Sequence, residues 1–341
     1  MKRILIIGAY ADNYTKIGGE IAKVRTLYNY YSATNKVILI DTYWEKKNFF
    51  QFIYKRYIEK ILVYIHMIVE IERCDAIIIC RSDAKFEKII NKRKALNKTS
   101  VFGIGNRVPK HLLESCVDIN FWNSLNGIFV ESEEMVKEFE AKGIKTAYYV
   151  PNTKRLPRYD CTEYECDKDI IELFYHGQIT EDKGIDCLIA AVNEVNKDKV
   201  QCKLFFYGDC GKNYDLESRL NEYIIYGGKL NLMDSMEDYE ILREHDIFVF
   251  PTKWIAEGIS GSMEDALALG KPILATRHNL NDKLVKDGEN GYLFEVDNVL
   301  ALKELIIKLY KNQKLIYEMG NVSLSIAENF RVENVLGGLK L

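Results

Sequence analysis

Three carboxylates, Glu257, Glu264 and Asp265, lie within one nine-residue segment that also contains glycine. The loop at 258–261 precedes an apolar helical pattern. Its backbone N–H groups can hold a phosphate or a sugar, while Glu257 accepts hydrogen bonds from hydroxyl groups. We predict that the helix starts at Asp265 and that Glu264, about 100° further round the helix, does not share a site with Asp265. The alternative is that Glu257 only caps the helix and Asp265 only complements its dipole.

Glycine loops at the ends of apolar runs offer further ligand-binding groups. Gly177 follows the run IELFYH, and Lys183 stands at the start of the next helical pattern, where free N–H groups and an ammonium group can bind a diphosphate. Gly208 follows the run KLFFY in a second such loop, and Gly18 and Gly19 form a third. Each loop taken alone is also compatible with a tight turn, and Lys183 with a solvated side chain.

Two series of short apolar segments must position these loops. The first series is RILIIGAY, KVILID, DAIIIC, KTSVFGIG and GIFVES, and the second is IELFYHG, KLFFYGD, DIFVFPT and KPILAT. Wholly apolar strands that alternate with helices indicate parallel sheets covered on both faces. The sequence therefore predicts an α/β fold of two doubly wound domains that join near residues 150–160. Ligands of such sheets bind beyond the carboxyl ends of the strands, so we expect the site in a cleft between the two domains.

Length and composition agree with this organisation. The chain has 341 residues, more than one core usually holds, and 48% of them are hydrophobic. The apolar run near the N-terminus is too short for a signal peptide, and no apolar segment approaches the length of a membrane span. The eight cysteines follow no zinc-binding spacing. We therefore expect a cytoplasmic protein with reduced thiols.

The charge is distributed unevenly along the chain. Residues 1–152 hold 24 Lys and Arg against 17 Asp and Glu, whereas the remainder holds 23 against 33. A basic half joined to an acidic half indicates that the first half meets an anionic partner. Nucleic acid is not the expected partner, because no nucleic-acid-binding motif is present and the second half is acidic.

The segment 46–68 combines aromatic and basic residues. At helical spacing it gives a broad apolar surface with basic edges, which is typical of a helix that lies on an anionic membrane. The predicted membrane-contacting residues are Lys46, Lys47, Phe49, Phe50, Lys55 and Arg56. The alternative is an ordinary packed helix with a solvated basic edge.

Several of these segments together resemble one known family. The stretch EGISGSMEDALALGKPILAT is similar to the E-x7-E signature of retaining glycosyltransferases with the GT-B fold, glycosyltransferase family four, with Asp265 in the second place. FYHGQITEDKG, YGDCGK and GENGYLFEVDN are similar to further motifs of that family, whose members include enzymes of bacterial surface-glycan synthesis. The resemblance covers nearly all of residues 120–320. It implies an acceptor-side domain at 1–152, a donor-binding domain at 153–322 and a C-terminal helix at 323–341 that packs toward the first domain.

The resemblance also implies roles for individual residues. Lys183 would neutralise the donor diphosphate as it leaves, and Glu257 would hydrogen-bond the donor sugar. Asp265 would bind the ribose hydroxyls. Gln178 stands where the family has an arginine, so one cation on the diphosphate is missing. The remaining residues implied on the donor side are Gly19, Gly208, Gly258, Ile259 and Ser260, and those on the acceptor side are Asn106 and Arg107.

The expected activity is transfer of a sugar from a nucleotide sugar, with UDP favoured as the nucleotide, to a glycan, lipid-linked or protein acceptor. The resemblance implies retention of anomeric configuration and no cofactor. No metal is expected either, because the acidic pair Asp167 and Asp169 precedes a strand and is interpreted as a solvated linker. Two alternatives stay open. One is a non-catalytic nucleotide-sugar-binding module, and the other is a sugar-nucleotide epimerase of the same fold.

Overall fold

A computed structural model of the chain describes residues 1–10, 19–42, 60–80, 90–103, 118–160, 167–233, 235–255, 258–339 and 341. The chain forms two compact units. Unit 1 comprises Met1–Lys154 with Val335–Leu341, and unit 2 comprises Arg155–Asn334. That the first domain binds the acceptor and the second binds the donor stays a prediction.

Unit 1 contains a six-stranded parallel sheet in the order β2-β1-β3-β4-β5-β6. Its strands are β1 (Arg3–Gly8), β2 (Lys36–Asp41), β3 (Ala76–Cys80), β4 (Thr99–Phe102), β5 (Gly127–Val130) and β6 (Ala147–Tyr149). Its helices are α1 (Gly19–Ser32), α2 (Lys60–Arg73), α3 (Ile119–Asn123) and α4 (Glu133–Ala141), with a 3-10 turn at Leu96–Lys98. Every residue of β3, β4 and β5 is buried, because helices cover both faces of a parallel sheet.

Unit 2 contains a second six-stranded parallel sheet in the order β12-β11-β10-β7-β8-β9. Its strands are β7 (Ile171–His176), β8 (Cys202–Tyr207), β9 (Ile224–Gly228), β10 (Ile247–Phe250), β11 (Ile273–Thr276) and β12 (Gly291–Phe294). Its helices are α5 (Ile185–Val195), α6 (Glu237–Arg243), α7 (Gly261–Ala268), α8 (Asn281–Leu284), α9 (Val299–Lys311), α10 (Lys314–Ala327) and, at the junction with unit 1, α11 (Val332–Leu336). Three 3-10 turns complete the unit, at Glu181–Lys183, Glu217–Arg219 and Glu328–Phe330.

The predicted fold class is confirmed. Both sheets are parallel throughout, as the wholly apolar strands indicated, and each is doubly wound in the manner of a GT-B protein. The core of unit 2 lies between the sheet and its helices, with Tyr175, Phe174 and Phe248 among its largest fully buried side chains.

The C-terminal segment differs from the single helix expected at 323–341. Helix α10 ends at Ala327 and is followed by a 3-10 turn. Arg331, whose backbone is extended, separates this turn from α11. The Arg331 guanidinium donates to the carbonyl oxygens of Leu156 and Pro157, both at 3.0 Å. These two contacts tie the residue between the 3-10 turn and α11 to the backbone at residues 156 and 157.

Candidate functional site

The order of the strands in unit 2 marks where a ligand is expected. The chain leaves β7 to one side for β8 and β9, and it later returns to the other side for β10, β11 and β12. In open parallel sheets, ligands bind outside the carboxyl ends of the strands at such a reversal. The candidate site is therefore the edge of the sheet where β7 ends at His176 and β10 ends at Phe250.

Two glycine loops at this edge are packed backbone against backbone. The N–H of Gly177 donates to the carbonyl of Tyr207 at 3.0 Å, and the N–H of Gly208 donates to Gly228 at 2.8 Å. A Cβ on Gly208 would lie 1.9 Å from the carbonyl oxygen of Gly177, and the φ of Gly208 is +136°. Only glycine fits such an approach in this conformation, so the loops after β7 and β8 form one layer.

The turn that carries Lys183 is held against the end of β10. The φ of Gly184 is +70°, and a Cβ there would lie 2.0 Å from the carbonyl oxygen of Pro251. The N–H of Lys253 donates to the carbonyl of Asp182 at 3.0 Å, which joins this turn to the loop after β10. As a result, the Lys183 ammonium lies 6.0 Å from the centre of the Phe250 ring. The structure thus brings a cation to the carboxyl edge of the sheet.

The predicted partner residue Gln178 has an exposed side chain, and its backbone is fixed. Its carbonyl oxygen accepts a hydrogen bond of 2.7 Å from the buried Tyr175 hydroxyl. The next residue, Ile179, donates its N–H to Asp209 at 2.8 Å. The loop from Gly177 to Lys183 is therefore held at several points on unit 2, and its cation stands on fixed backbone.

Helix α7 starts earlier than predicted. Ser260 is the N-cap residue and Gly261 the first helical residue, so Asp265 lies within the helix and not at its start. The carbonyl of Ser260 accepts from the N–H groups of Met263 and Glu264 at 3.1 and 3.2 Å. Ser260 and Ile259 are buried, and Gly258 is half-buried. The N-terminus of α7 faces this edge of the sheet, because Ser262 Oγ lies 3.6 Å from the Cβ position of Gly177.

Both carboxylates of α7 are buried, and the prediction that Glu264 and Asp265 do not share a site stays a prediction. Glu264 is 0% exposed and Asp265 is 1% exposed. The cause is that α7 is covered on a second side by α10, where a Cβ on Gly320 would lie 2.3 Å from the carbonyl oxygen of Gly270. A helix held between a sheet and another helix has no solvated face for Glu264 to occupy.

Asp265 links two side chains that the sequence did not single out. The Tyr239 hydroxyl donates to its Oδ1 at 2.6 Å, and His176 Nδ1 lies 3.9 Å from its Oδ2. Burial, followed by the adjacent Asp265 carboxylate, raises the pKa of Tyr239 well above its usual value, so Tyr239 stays a neutral donor. His176 was missed because it ends an apolar strand. Its signal was a titratable side chain directly before the loop glycine Gly177.

Several other predicted residues lie in unit 1 or outside the described part of the chain. Gly19 is the first residue of α1 in unit 1. The predicted sugar ligand Glu257 lies outside the described residues, as do the acceptor-side and membrane-contacting residues. These are Asn106, Arg107, Lys46, Lys47, Phe49, Phe50, Lys55 and Arg56. Their roles stay predictions.

Neither a metal-binding cluster nor a membrane-spanning helix is found in the described part of the chain. Within those residues no group of three or more His, Cys, Asp or Glu side chains is arranged to bind a metal ion. The described helices include none that is long and apolar enough to cross a bilayer.

Comparison with known proteins shows a family to which the site region is similar. The two doubly wound parallel sheets are of the GT-B fold class. Within this fold, residues 171–312 match the family model described as glycosyl transferases group 1. That range includes β7, the Lys183 turn, the Gly208 loop and α7. Residues 171–312 of unit 2 are thus similar to a group 1 glycosyl transferase domain.

Two curated relatives illustrate the similarity in sequence. An uncharacterized glycosyltransferase of Methanocaldococcus jannaschii is 30% identical over 174 residues, which cover 48% of this chain and 42% of that protein. The poly(ribitol-phosphate) alpha-N-acetylglucosaminyltransferase of Staphylococcus aureus is 22% identical over 288 residues, 77% of this chain and 54% of that protein. The chain spans about half the length of the curated relatives it matches.

Among solved structures, Anabaena HepE in complex with UDP aligns with a TM-score of 0.70 and 14% sequence identity. The alignment covers 98% of this chain and 97% of HepE. At this identity the likeness concerns the fold, and it extends over both units.

We predict that Glu264→Ala destabilises the protein. Truncating a fully buried side chain removes its contacts and leaves a cavity, at a cost of about 2 kcal/mol. For a unit of this size, that cost lowers the melting temperature by roughly 4–8 °C. Thermal unfolding followed by circular dichroism measures the shift.

The matched control is Glu318→Ala. Glu318 lies on α10 with its side chain half exposed, and it pairs with Lys314 at 3.1 Å across one helical turn. Such pairs contribute about 0.5 kcal/mol or less, so this variant should melt close to the wild type. Equal melting temperatures for the two variants would contradict the buried position of Glu264.

Proposed function

We propose that this protein transfers a sugar from a nucleotide-diphosphate sugar, with UDP as the favoured nucleotide, to a glycan, lipid-linked or protein acceptor. The observation that carries the proposal is the convergence of Lys183, two glycine loops and the N-terminus of α7 on the carboxyl edge of the unit 2 sheet. Such an edge offers one ammonium group and several backbone N–H groups to a diphosphate.

The geometry suits the leaving group of a sugar transfer. When the bond between the anomeric carbon and the phosphate oxygen breaks, negative charge accumulates on the diphosphate. Donors that are already fixed in place stabilise that charge without reorganising. Lys183 stands on a turn tied to the loop after β10, and α7 is anchored by its buried side chains. Both are therefore held before a substrate arrives.

The choice of UDP as the nucleotide is supported by the solved structures of HepE. HepE, which matches the fold over nearly its whole length, has been solved with UDP and with UDP-glucose. The family match over 171–312 covers the elements that would hold the nucleotide. In this proposal the amides around Gly258, Ile259 and Ser260 contact the sugar and the distal phosphate, and Glu257 binds sugar hydroxyls.

We propose that the transfer retains the anomeric configuration and proceeds without a metal ion. The acceptor hydroxyl attacks on the face that the diphosphate leaves, and a phosphate oxygen of the leaving group takes the hydroxyl proton. Lys183 and the helix N-terminus supply the positive charge that a divalent cation supplies in other transferases. A nucleotide-sugar-binding module without activity and an epimerase are the alternatives. Release of UDP only when an acceptor is present excludes both of them.

The acceptor is proposed to be anionic or membrane-linked. Residues 1–152 carry the basic balance, and the S. aureus relative is named for a polymer of ribitol phosphate, which is polyanionic. On α2, Ile65 and Val69 are 54% and 39% exposed one helical turn apart. In the sequence, Ile65 lies within the basic aromatic segment 46–68 and Val69 follows it directly. We therefore propose that unit 1 binds peripherally to the inner face of the cell membrane.

We predict that Lys183→Ala lowers the rate of sugar transfer by roughly 100-fold, the effect of removing one preorganised electrostatic group from a transition state. Release of UDP from a UDP-sugar, assayed in excess EDTA with a glycan acceptor, measures the rate. Lys303→Ala is the control, because Lys303 pairs with Glu194 at 3.2 Å on the helical surface of unit 2. The control should keep wild-type turnover.

Near-normal turnover of Lys183→Ala would show that the diphosphate is held elsewhere. Gln178→Arg is the companion variant, since a guanidinium on this exposed, fixed loop should tighten UDP binding. Loss of all activity in EDTA, restored by magnesium or manganese, would overturn the proposal of metal independence.

We predict that the protein sediments with liposomes that contain anionic lipid at low salt and dissociates at high salt, because the attraction is screened. Reversal of Lys46, Lys47, Lys55 and Arg56 to glutamate should abolish the binding. The matched control reverses Lys303, Lys308 and Lys311, which lie on α9 of unit 2. Binding that is absent at low salt, or unchanged by the first set of reversals, would leave an enzyme that does not bind membranes.

A further inference from the structure

His176 lies at the end of a strand, beside the loop that is proposed to bind the donor. It is the last residue of β7, it precedes the Gly177 loop, and its side chain is 17% exposed. The first turn of α7 lies alongside, because Ser262 Oγ is 3.6 Å from the Cβ position of the adjacent Gly177. The His176 ring itself lies against the same helix, with its Nδ1 3.9 Å from Oδ2 of Asp265 in α7.

A buried carboxylate lies close to the His176 ring. The Asp265 side chain is 2% exposed, and its Oδ2 lies 3.9 Å from His176 Nδ1. Its Oδ1 is occupied by the Tyr239 hydroxyl at 2.6 Å, and Tyr239 is itself 1% exposed. Tyr239 therefore fixes the carboxylate in place. A carboxylate at this distance in a buried setting stabilises the positively charged form of the imidazole.

The loop next to His176 is short of positive charge. Between Gly177 and Lys183 the sequence carries one cation, Lys183, and two acids, Glu181 and Asp182. The exposed side chain of Gln178 is neutral. A nucleoside diphosphate carries more than one negative charge, so the loop alone does not balance it. The imidazole of His176, which lies 3.9 Å from the Asp265 carboxylate, can supply the second positive charge.

We propose that His176 is a second cation for the donor diphosphate and that Asp265 and Tyr239 are positioning residues that act through it. The inference rests on the proposed function. It assigns Asp265 a role that its burial favours, since a side chain exposed by 2% and bonded to Tyr239 has little surface left for a ligand.

The test compares binding of UDP with binding of uridine, which lacks the phosphates. UDP is titrated by calorimetry, and uridine is measured by ligand-observed NMR because it binds weakly. His176→Ala should weaken UDP binding about tenfold and leave uridine binding unchanged. His176→Lys should restore most of the affinity for UDP, since it returns a cation to the same strand end.

Tyr239→Phe tests the positioning role. It keeps the buried ring and removes only the hydroxyl that holds Asp265, so UDP binding should weaken about threefold with uridine unaffected. The matched control is Tyr223→Phe, which removes a hydroxyl bonded to Asn193 at 3.0 Å elsewhere in unit 2. This control should bind both ligands as the wild type does. A merely structural role for Tyr239 would weaken both ligands together.

The outcomes separate the inference from the proposed function. If the wild-type protein does not bind UDP, both the inference and the proposed function are wrong. Wild-type binding that His176→Ala leaves unchanged would overturn the inference alone, as would equal weakening of UDP and uridine. Selective weakening of UDP, with recovery in His176→Lys, would establish His176 as a contact of the diphosphate.

Discussion

The site depends on backbone segments that approach each other too closely for any side chain to fit between them. Gly208 lies against the carbonyl of Gly177, and Gly184 lies against the carbonyl of Pro251. These two contacts join the loops after β7, β8 and β10 into one surface at the carboxyl edge of the unit 2 sheet. Because the backbone is fixed there, its N–H groups and Lys183 keep their positions without a ligand. Preorganised donors of this kind stabilise the charge of a leaving diphosphate at little reorganisation cost.

Behind this surface lies a layer of buried polar side chains. Asp265 and Glu264 are both enclosed, and Tyr239 is bonded to Asp265. A carboxylate enclosed among apolar side chains is costly unless nearby groups compensate its charge. The Tyr239 hydroxyl donates to one oxygen of Asp265, and the His176 ring nitrogen lies 3.9 Å from the other. Asp265 therefore lies between a buried tyrosine and the ring at the end of β7.

The sequence predicted the sheets well because wholly apolar strands can be accommodated only where helices cover both faces. It also predicted the glycine loops at the strand ends and the position of Lys183. It placed the start of α7 too late, because Gly261 and Ser262 are typical of a loop, whereas the capping residue is already Ser260. Burial of Glu264 depends on α10, far along the chain. The contact of Asp265 with Tyr239 spans 26 residues, and no local periodicity reveals such a pair.

The central claim is that a UDP-sugar binds at the carboxyl edge of the unit 2 sheet. Hydrogen–deuterium exchange of the full chain with and without UDP-glucose tests it most directly, since backbone N–H groups are the proposed ligands. Protection is predicted at 176–184, at 208–211 and at 258–265, with little change in α9 on the covered face of the sheet. Unchanged exchange in all three segments at saturating UDP-glucose would contradict the account.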